Sequence, residues 1–104
     1  MAAPYNPPKK NEDFIVRISL SDYFDPSSFK SSPTIATGDF KVDKDGGGLT
    51  NLGTIPAVDP SGTVLVKVTL SSDEMNGDVI SIVAIDQTDP KEWCDFVLVL
   101  PTTQ

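Results

Sequence analysis

Apolar and polar residues alternate along two stretches of the chain, each of strand length. The apolar positions are Phe14, Val16, Ile18 and Leu20 in residues 14–20, and Val64, Val66, Val68 and Leu70 in residues 64–70. Successive side chains of a strand point to opposite faces. A period of two therefore predicts strands with one face on a core and the other toward solvent or a partner.

Two later stretches, residues 79–85 and 96–100, are apolar at nearly every position. This pattern predicts central strands, or strands that sheet or a partner covers on both sides. Residues 34–42 read as a further strand, and residues 50–58 as a short, irregular return strand. Ser71 and Glu74 have the spacing of a capping box, which predicts one helical turn between strands.

The segment Asp-Lys-Asp-Gly-Gly-Gly at residues 43–48 supplies the positive-φ positions of a tight turn. The spacing of Asp43 and Asp45 also resembles the start of an EF-hand loop. Gly47 and Thr54 would then stand at the fifth and twelfth positions, where the calcium ion requires oxygen ligands. We therefore interpret the segment as a turn and expect no metal site.

Six or seven short strands, with turns about every ten residues, predict an all-β fold. The expected architecture is an antiparallel immunoglobulin-like β-sandwich with an extended Pro-rich N-terminal arm. The expected boundaries are an arm over residues 1–12, the sandwich over residues 13–101 and a short tail over residues 102–104. The arm contains Pro4, Pro7 and Pro8 with Tyr5, and it is either a free tail or a strap on a neighbouring protein.

Charge and side-chain chemistry disfavour several classes of function. The chain has 15 acidic and 8 basic residues and a net charge of -7, which disfavours nucleic acid and anionic membranes as partners. It has no histidine, and its one cysteine, Cys94, has no second thiol with which to pair. We therefore expect a non-enzymatic protein without a cofactor. The N-terminus also lacks the apolar run of a signal peptide.

Aromatic residues are the candidate contact residues. Tyr23, Phe24 and Phe29 lie in a polar loop, where they form either a contact patch or, as the sequence slightly favours, a plug over one end of the sandwich. Trp93 either caps the core, which is the favoured interpretation, or contacts a ligand. The full set of candidate partner-binding residues is Pro4, Tyr5, Pro7, Pro8, Lys9, Lys10, Tyr23, Phe24, Phe29 and Trp93.

Several motifs resemble small β-sandwich domains of tailed-bacteriophage virion proteins. They are Leu-Ser-Asp at residues 20–22, Phe-Lys-Val-Asp-Lys-Asp-Gly-Gly-Gly at residues 40–48, Val-Lys-Val-Thr-Leu-Ser-Ser-Asp-Glu-Met-Asn-Gly-Asp-Val-Ile at residues 66–80, and the apolar strands on either side of Trp93. The resemblance spans residues 14–100 and includes no catalytic residues.

The resemblance implies a virion structural protein, assembled in the host cytoplasm. Its expected partner is the major capsid protein or another virion protein, and self-association is open. We expect a capsid decoration or cement protein, whose arm and sheet edges cross between capsid subunits. The alternatives are a component of the head-tail junction, tail, baseplate or fibre, or a carbohydrate-binding module that stacks sugars on Tyr23, Phe24, Phe29 or Trp93.

Overall fold

The computed structural model describes residues 7–103. The regular structure of this range consists of strands alone. They are β1 (Phe14–Ile18), β2 (Phe40–Lys44), β3 (Thr50–Asn51), β4 (Ala57–Val58), β5 (Val66–Leu70), β6 (Val79–Ala84) and β7 (Phe96–Pro101). The all-β prediction is confirmed for the described chain.

The strands form two antiparallel sheets that share one core. One sheet has the order β1-β5-β4 and the other β3-β2-β6-β7. The buried side chains of the two sheets belong to a single apolar cluster, together with Leu20, Leu52, Met75 and Trp93. Burial of this apolar surface is the main term that stabilises a fold of this size.

The two alternating stretches behave as their pattern predicts. In β5, Val66, Val68 and Leu70 are fully buried, whereas Lys67 and Thr69 are only half-buried. In β1, Ile15 and Arg17 are exposed. The alternate residues Phe14, Val16 and Ile18 pack against the core. The prediction of one face on a core is confirmed for both strands.

The prediction that residues 96–100 form a central strand is wrong within the described chain, whereas the alternative, coverage by a partner, stays a prediction. β6 is central, because β2 and β7 flank it, but β7 is an edge strand. Its outward-facing Val97 and Val99 are 61% and 52% exposed. Apolar composition on both faces does not distinguish a central strand from an edge strand that has an uncovered outer face.

The second strand begins later than the sequence predicts, at Phe40 instead of residue 34. The Asp39 carboxylate accepts a hydrogen bond from Ala36 N, and Asp39 N donates to Ala36 O. Residues 36–39 therefore form a hydrogen-bonded turn instead of pairing with a neighbouring strand. The predicted return strand is divided as well. β3 pairs with β2 and β4 pairs with β5, so residues 52–56 cross from one sheet to the other.

Both predicted turns are confirmed. The Asp43 carboxylate accepts hydrogen bonds from the N–H groups of Gly46 and Gly48, and both glycines have positive φ. In the capping box, Ser71 N donates to Glu74 Oε1 at 2.9 Å and Glu74 N donates to Ser71 Oγ at 3.2 Å.

Trp93 is the largest fully buried side chain. Its ring centroid lies 5.7 Å from that of Phe40, and its indole N–H donates to Thr34 O at 3.2 Å. The indole therefore contributes apolar contact area while its one polar atom is satisfied. The core-capping interpretation of Trp93 is confirmed.

We expect the substitution Trp93→Ala to lower the free energy of unfolding by about 3–5 kcal/mol, because it leaves a large cavity in the core. Urea denaturation monitored by circular dichroism measures this loss. The matched control is Ile55→Ala at an exposed apolar position, for which we expect a change within about 0.5 kcal/mol. Equal losses in the two variants would contradict the assignment of Trp93 to the core.

Candidate interaction surface

The described chain exposes three aromatic side chains in one loop, residues 21–29, which we call the aromatic loop. Tyr23 is 47% exposed, Phe24 72% and Phe29 60%. The prediction that these rings plug the end of the sandwich is therefore wrong. Trp93, which bridges to Asp22, takes the buried position instead.

The aromatic loop is fixed to the segment that precedes β7. Asp22 and Trp93 form an antiparallel bridge. On either side of it, Cys94 N donates to Ser21 O at 2.9 Å, and Tyr23 N donates to Glu92 O at 3.0 Å. These backbone bonds tie the start of the loop to the segment before β7 with the pattern of a short strand pair.

Hydrogen bonds within the loop fix its tip. Phe24 N donates to the Asp22 carboxylate, and Ser28 N donates to Asp25 O, both at 2.9 Å. The Asp25 carboxylate accepts from the hydroxyl groups of Ser27 and Ser28, which hold the pKa of Asp25 below its ordinary value. The loop therefore presents its rings on an ordered backbone.

The base of the loop closes with Asp22 N donating to Ser28 O at 2.9 Å and Lys30 N donating to Leu20 O at 2.6 Å. The rings of Tyr23 and Phe24 meet edge to face, with centroids 5.5 Å apart and planes at 85°. Their mutual contact restricts both side chains while their outer surfaces stay in solvent.

A depression adjoins the aromatic loop, lined by Tyr23 and residues 85–91. The buried Asp86 carboxylate fixes the backbone that lines this depression. It accepts hydrogen bonds from Thr88 N at 2.9 Å and Glu92 N at 2.7 Å. Burial alone would raise the pKa of Asp86. The N–H groups of Glu92, Thr88 and Trp93, with the Thr88 hydroxyl, more than offset it, and the pKa of Asp86 is lowered.

Asp39, the other buried carboxylate of the described residues, also binds backbone N–H groups. It accepts hydrogen bonds from Ala36 N at 2.9 Å and Gln87 N at 3.1 Å. Asp45 likewise accepts from Asp78 N and Val79 N, and these bonds lower the pKa of Asp45. Each carboxylate is thus engaged with backbone donors that loop structure would otherwise leave unsatisfied.

One of the candidate partner-binding residues offers no exposed surface to a partner. Trp93 is fully buried, so its inclusion among the partner-binding residues is wrong. Cys94 is half-buried, and its Sγ lies 3.7 Å from Asp22 O. The thiol therefore belongs to the base of the aromatic loop.

The described part of the predicted arm is bound to the domain. Lys9 forms a parallel bridge with Thr103, in which Thr103 N donates to Pro8 O at 2.9 Å and Lys10 N donates to Thr103 O at 2.8 Å. The Lys10 ammonium also lies 3.2 Å from the Asp78 carboxylate. Pro7 and Pro8 are half-buried. Pro4 and Tyr5 fall outside the described residues.

The sequence did not single out the edge of β7. The outer side chains Val97, Val99 and Pro101 are exposed there, next to the outward-facing Val83 of β6. We call Val97, Val99 and Pro101 the open edge. The sequence shows that these residues alternate with Phe96, Leu98 and Leu100. It does not show that β7 pairs with only one other strand of the described chain.

Residues 7–103 contain no group of three or more His, Cys, Asp and Glu side chains that could hold a metal ion. No helix in the same range has the length and apolarity that a membrane crossing requires. A scan of protein-family models and searches of curated proteins and solved structures found no match to this chain.

We expect Asp86→Asn to destabilise the fold at pH 7. The amide keeps the size of the side chain but replaces one acceptor oxygen with a donor, so Thr88 N or Glu92 N loses its partner. The free energy of unfolding should fall by about 1–3 kcal/mol, measured by urea denaturation.

The loss should depend on pH. Because the folded-state pKa of Asp86 is depressed, the contribution of its carboxylate is complete above the unfolded-state pKa of about 3.9 and disappears as pH falls through the folded-state pKa. The difference from the unmodified protein should therefore shrink below about pH 4. Asp13→Asn, at an exposed position, is the control. A pH-independent loss would contradict this role of Asp86.

Proposed function

We propose that this chain is a non-enzymatic virion structural protein of the tailed-phage type. In this proposal it decorates or cements the capsid by docking on the shell of major capsid protein. The two sheets would form an immunoglobulin-like sandwich that serves as a rigid carrier. The site of action would be the virion, assembled in the host cytoplasm.

The single observation that carries the proposal is the exposure of aromatic side chains on the aromatic loop. Phe24 and Phe29 are mostly exposed on a backbone that hydrogen bonds fix on both sides and at the tip. Exposed aromatic residues on an ordered loop are typical of interface anchors, because they bury large area at a small entropic cost. A ring that served only the core would be buried, as Trp93 is.

The chemistry of the described residues supports a role without catalysis. The buried carboxylates Asp39 and Asp86 bind backbone N–H groups on both oxygens. Neither is therefore positioned as a free acid or base. The sequence has no histidine, and Cys94 packs at the base of the aromatic loop. These features support the proposal that this surface acts by binding.

A capsid lattice suits a contact of this size. The exposed rings of one loop offer a small contact area, and a single contact of that size binds weakly. Many copies on a symmetric shell gain from repetition if each copy also touches its neighbours, since linked contacts raise the effective concentration. The head-tail junction, the tail and the baseplate offer comparable symmetric surfaces, and they remain the nearest alternatives in this proposal.

A carbohydrate-binding module is the second candidate, because exposed rings can stack on sugars. Tyr23 and Phe24 are nearly perpendicular, at 85°, and do not form a flat platform. Trp93 is buried and cannot stack on a ligand. These two observations favour a protein partner over a glycan.

The proposal predicts that virions of the phage that encodes this chain contain it, detected by mass spectrometry of purified particles. Recombinant protein should bind particles that lack it. The double variant Phe24→Ser/Phe29→Ser should bind at least about tenfold more weakly, because it removes two anchors, each typically worth over 1 kcal/mol. Its thermal unfolding midpoint should match that of the unmodified protein.

The matched control is Ile55→Ser, which removes an exposed apolar side chain from a different loop. It should bind particles as the unmodified protein does. Absence of the chain from virions would refute the proposed location. Equal weakening by both variants would refute the role of the aromatic loop, and binding to host glycans that requires Phe24 would favour the carbohydrate-binding alternative.

A further inference from the structure

The depression beside the aromatic loop has room for a side chain of a partner. Its volume is about 480 Å³, and Tyr23 and residues 85–91 line it. Volumes of this size are typical of ligand sites. Tyr23 lines the depression while its ring contacts that of Phe24. A partner that docks on the aromatic loop therefore lies directly beside the depression.

Asp89 supplies an unpaired carboxylate to the lining of the depression. The residue is exposed, and its side chain has no hydrogen-bond or ion-pair partner among the described residues. The carboxylate of Asp86, by contrast, binds the N–H groups of Thr88 and Glu92. An ionised carboxylate without a partner can accept hydrogen bonds on both oxygens. Asp89 is therefore the acidic side chain of this lining that is available to a ligand.

Negative charge dominates the surroundings of the depression. The donors that bind the Asp86 carboxylate are neutral, so they satisfy its oxygens without compensating its charge. Lys91 also lines the depression, but its ammonium lies 3.0 Å from the Asp95 carboxylate, which offsets its charge. Residues 21–30 and 85–95 together contain six acidic and two basic residues. The local field therefore attracts a cation.

We propose that the depression accepts an arginine side chain of the protein on which the aromatic loop docks. The guanidinium group would lie against the Tyr23 ring and donate charge-assisted hydrogen bonds to the Asp89 carboxylate. This inference rests on the proposed function, since it assigns a chemistry to the partner surface that faces the loop. That surface would present an arginine beside apolar residues, which contact Phe24 and Phe29.

Arginine fits this combination of a ring and a carboxylate better than lysine does. A guanidinium group is planar, so it stacks on an aromatic ring and donates two parallel hydrogen bonds to one carboxylate. An ammonium group is a more strongly hydrated point charge without that geometry. A single exposed ion pair adds only modest affinity. The arginine would therefore set the orientation of docking more than its strength.

NMR titration of the isotope-labelled full chain with N-acetyl-arginine amide tests the site without a virion. The amide signals of Tyr23 and of residues 86–92 should shift progressively at millimolar concentrations of the probe. N-acetyl-citrulline amide is the control probe, because it has nearly the same shape without the charge, and it should shift these signals much less. Equal shifts with both probes, or no shift of these signals with the arginine probe, would overturn the proposal.

Two variants assign the binding of the arginine probe to named side chains. Asp89→Asn should weaken it about threefold, because the amide keeps the size of the side chain but loses the charge. Tyr23→Leu should weaken it as well, because it removes the ring and keeps an apolar side chain. Asp73→Asn is the matched control, at an exposed position outside the depression, and it should change nothing. Equal weakening by Asp89→Asn and Asp73→Asn would reduce the effect to net charge and overturn the proposal.

Binding to virion particles separates this inference from the proposed function. Asp89→Lys should bind particles at least about tenfold more weakly, because it places a like charge against the arginine, whereas Asp73→Lys should bind as the unmodified protein does. If Phe24→Ser/Phe29→Ser weakens particle binding and Asp89→Lys does not, the inference is overturned and the proposed function stands. If the chain binds the arginine probe at Asp89 but is absent from virions, the proposed function is refuted and the arginine site stands.

Discussion

The loops of this protein depend on carboxylate side chains that accept hydrogen bonds from backbone N–H groups. Strand ladders satisfy these donors only within the strands, and the donors elsewhere need other acceptors. The carboxylates of this kind are Asp22, Asp39, Asp43, Asp45, Glu74, Asp86 and Glu92. A chain with one cysteine has no intrachain disulfide to do this work, so its acidic residues hold the loops while they also set the net charge.

This constraint connects the core to the exposed surface. The Asp39 and Asp86 carboxylates accept hydrogen bonds from the backbone of residues 87–92, and backbone bonds of Glu92 and Cys94 then hold the start of the aromatic loop. Because its backbone is already ordered, the loop can keep Phe24 and Phe29 in solvent without collapsing onto the core. Ordered, exposed rings lose little conformational entropy on binding, and this property makes the loop a candidate anchor.

Much of the fold was predictable where one physical signal dominated. Alternation located β1 and β5, glycines with positive φ located the turn after β2, and the capping box located the turn after β5. The failures arose where a tertiary neighbour decides. β7 has the composition of a central strand, yet its second neighbour is missing from the described residues. Residues 36–39 form a turn because the Asp39 carboxylate binds the backbone N–H of Ala36 that a strand ladder would use. Likewise, the sequence predicted an aromatic cluster at residues 23–29 but not which rings are exposed.

Docking through the aromatic loop can be observed by cryo-electron microscopy of virions that carry this chain. We expect one domain-sized density per binding site, oriented with the loop of residues 21–29 against the shell and with Phe24 and Phe29 buried in the contact. A domain bound through another face, with both rings left in solvent, would contradict it.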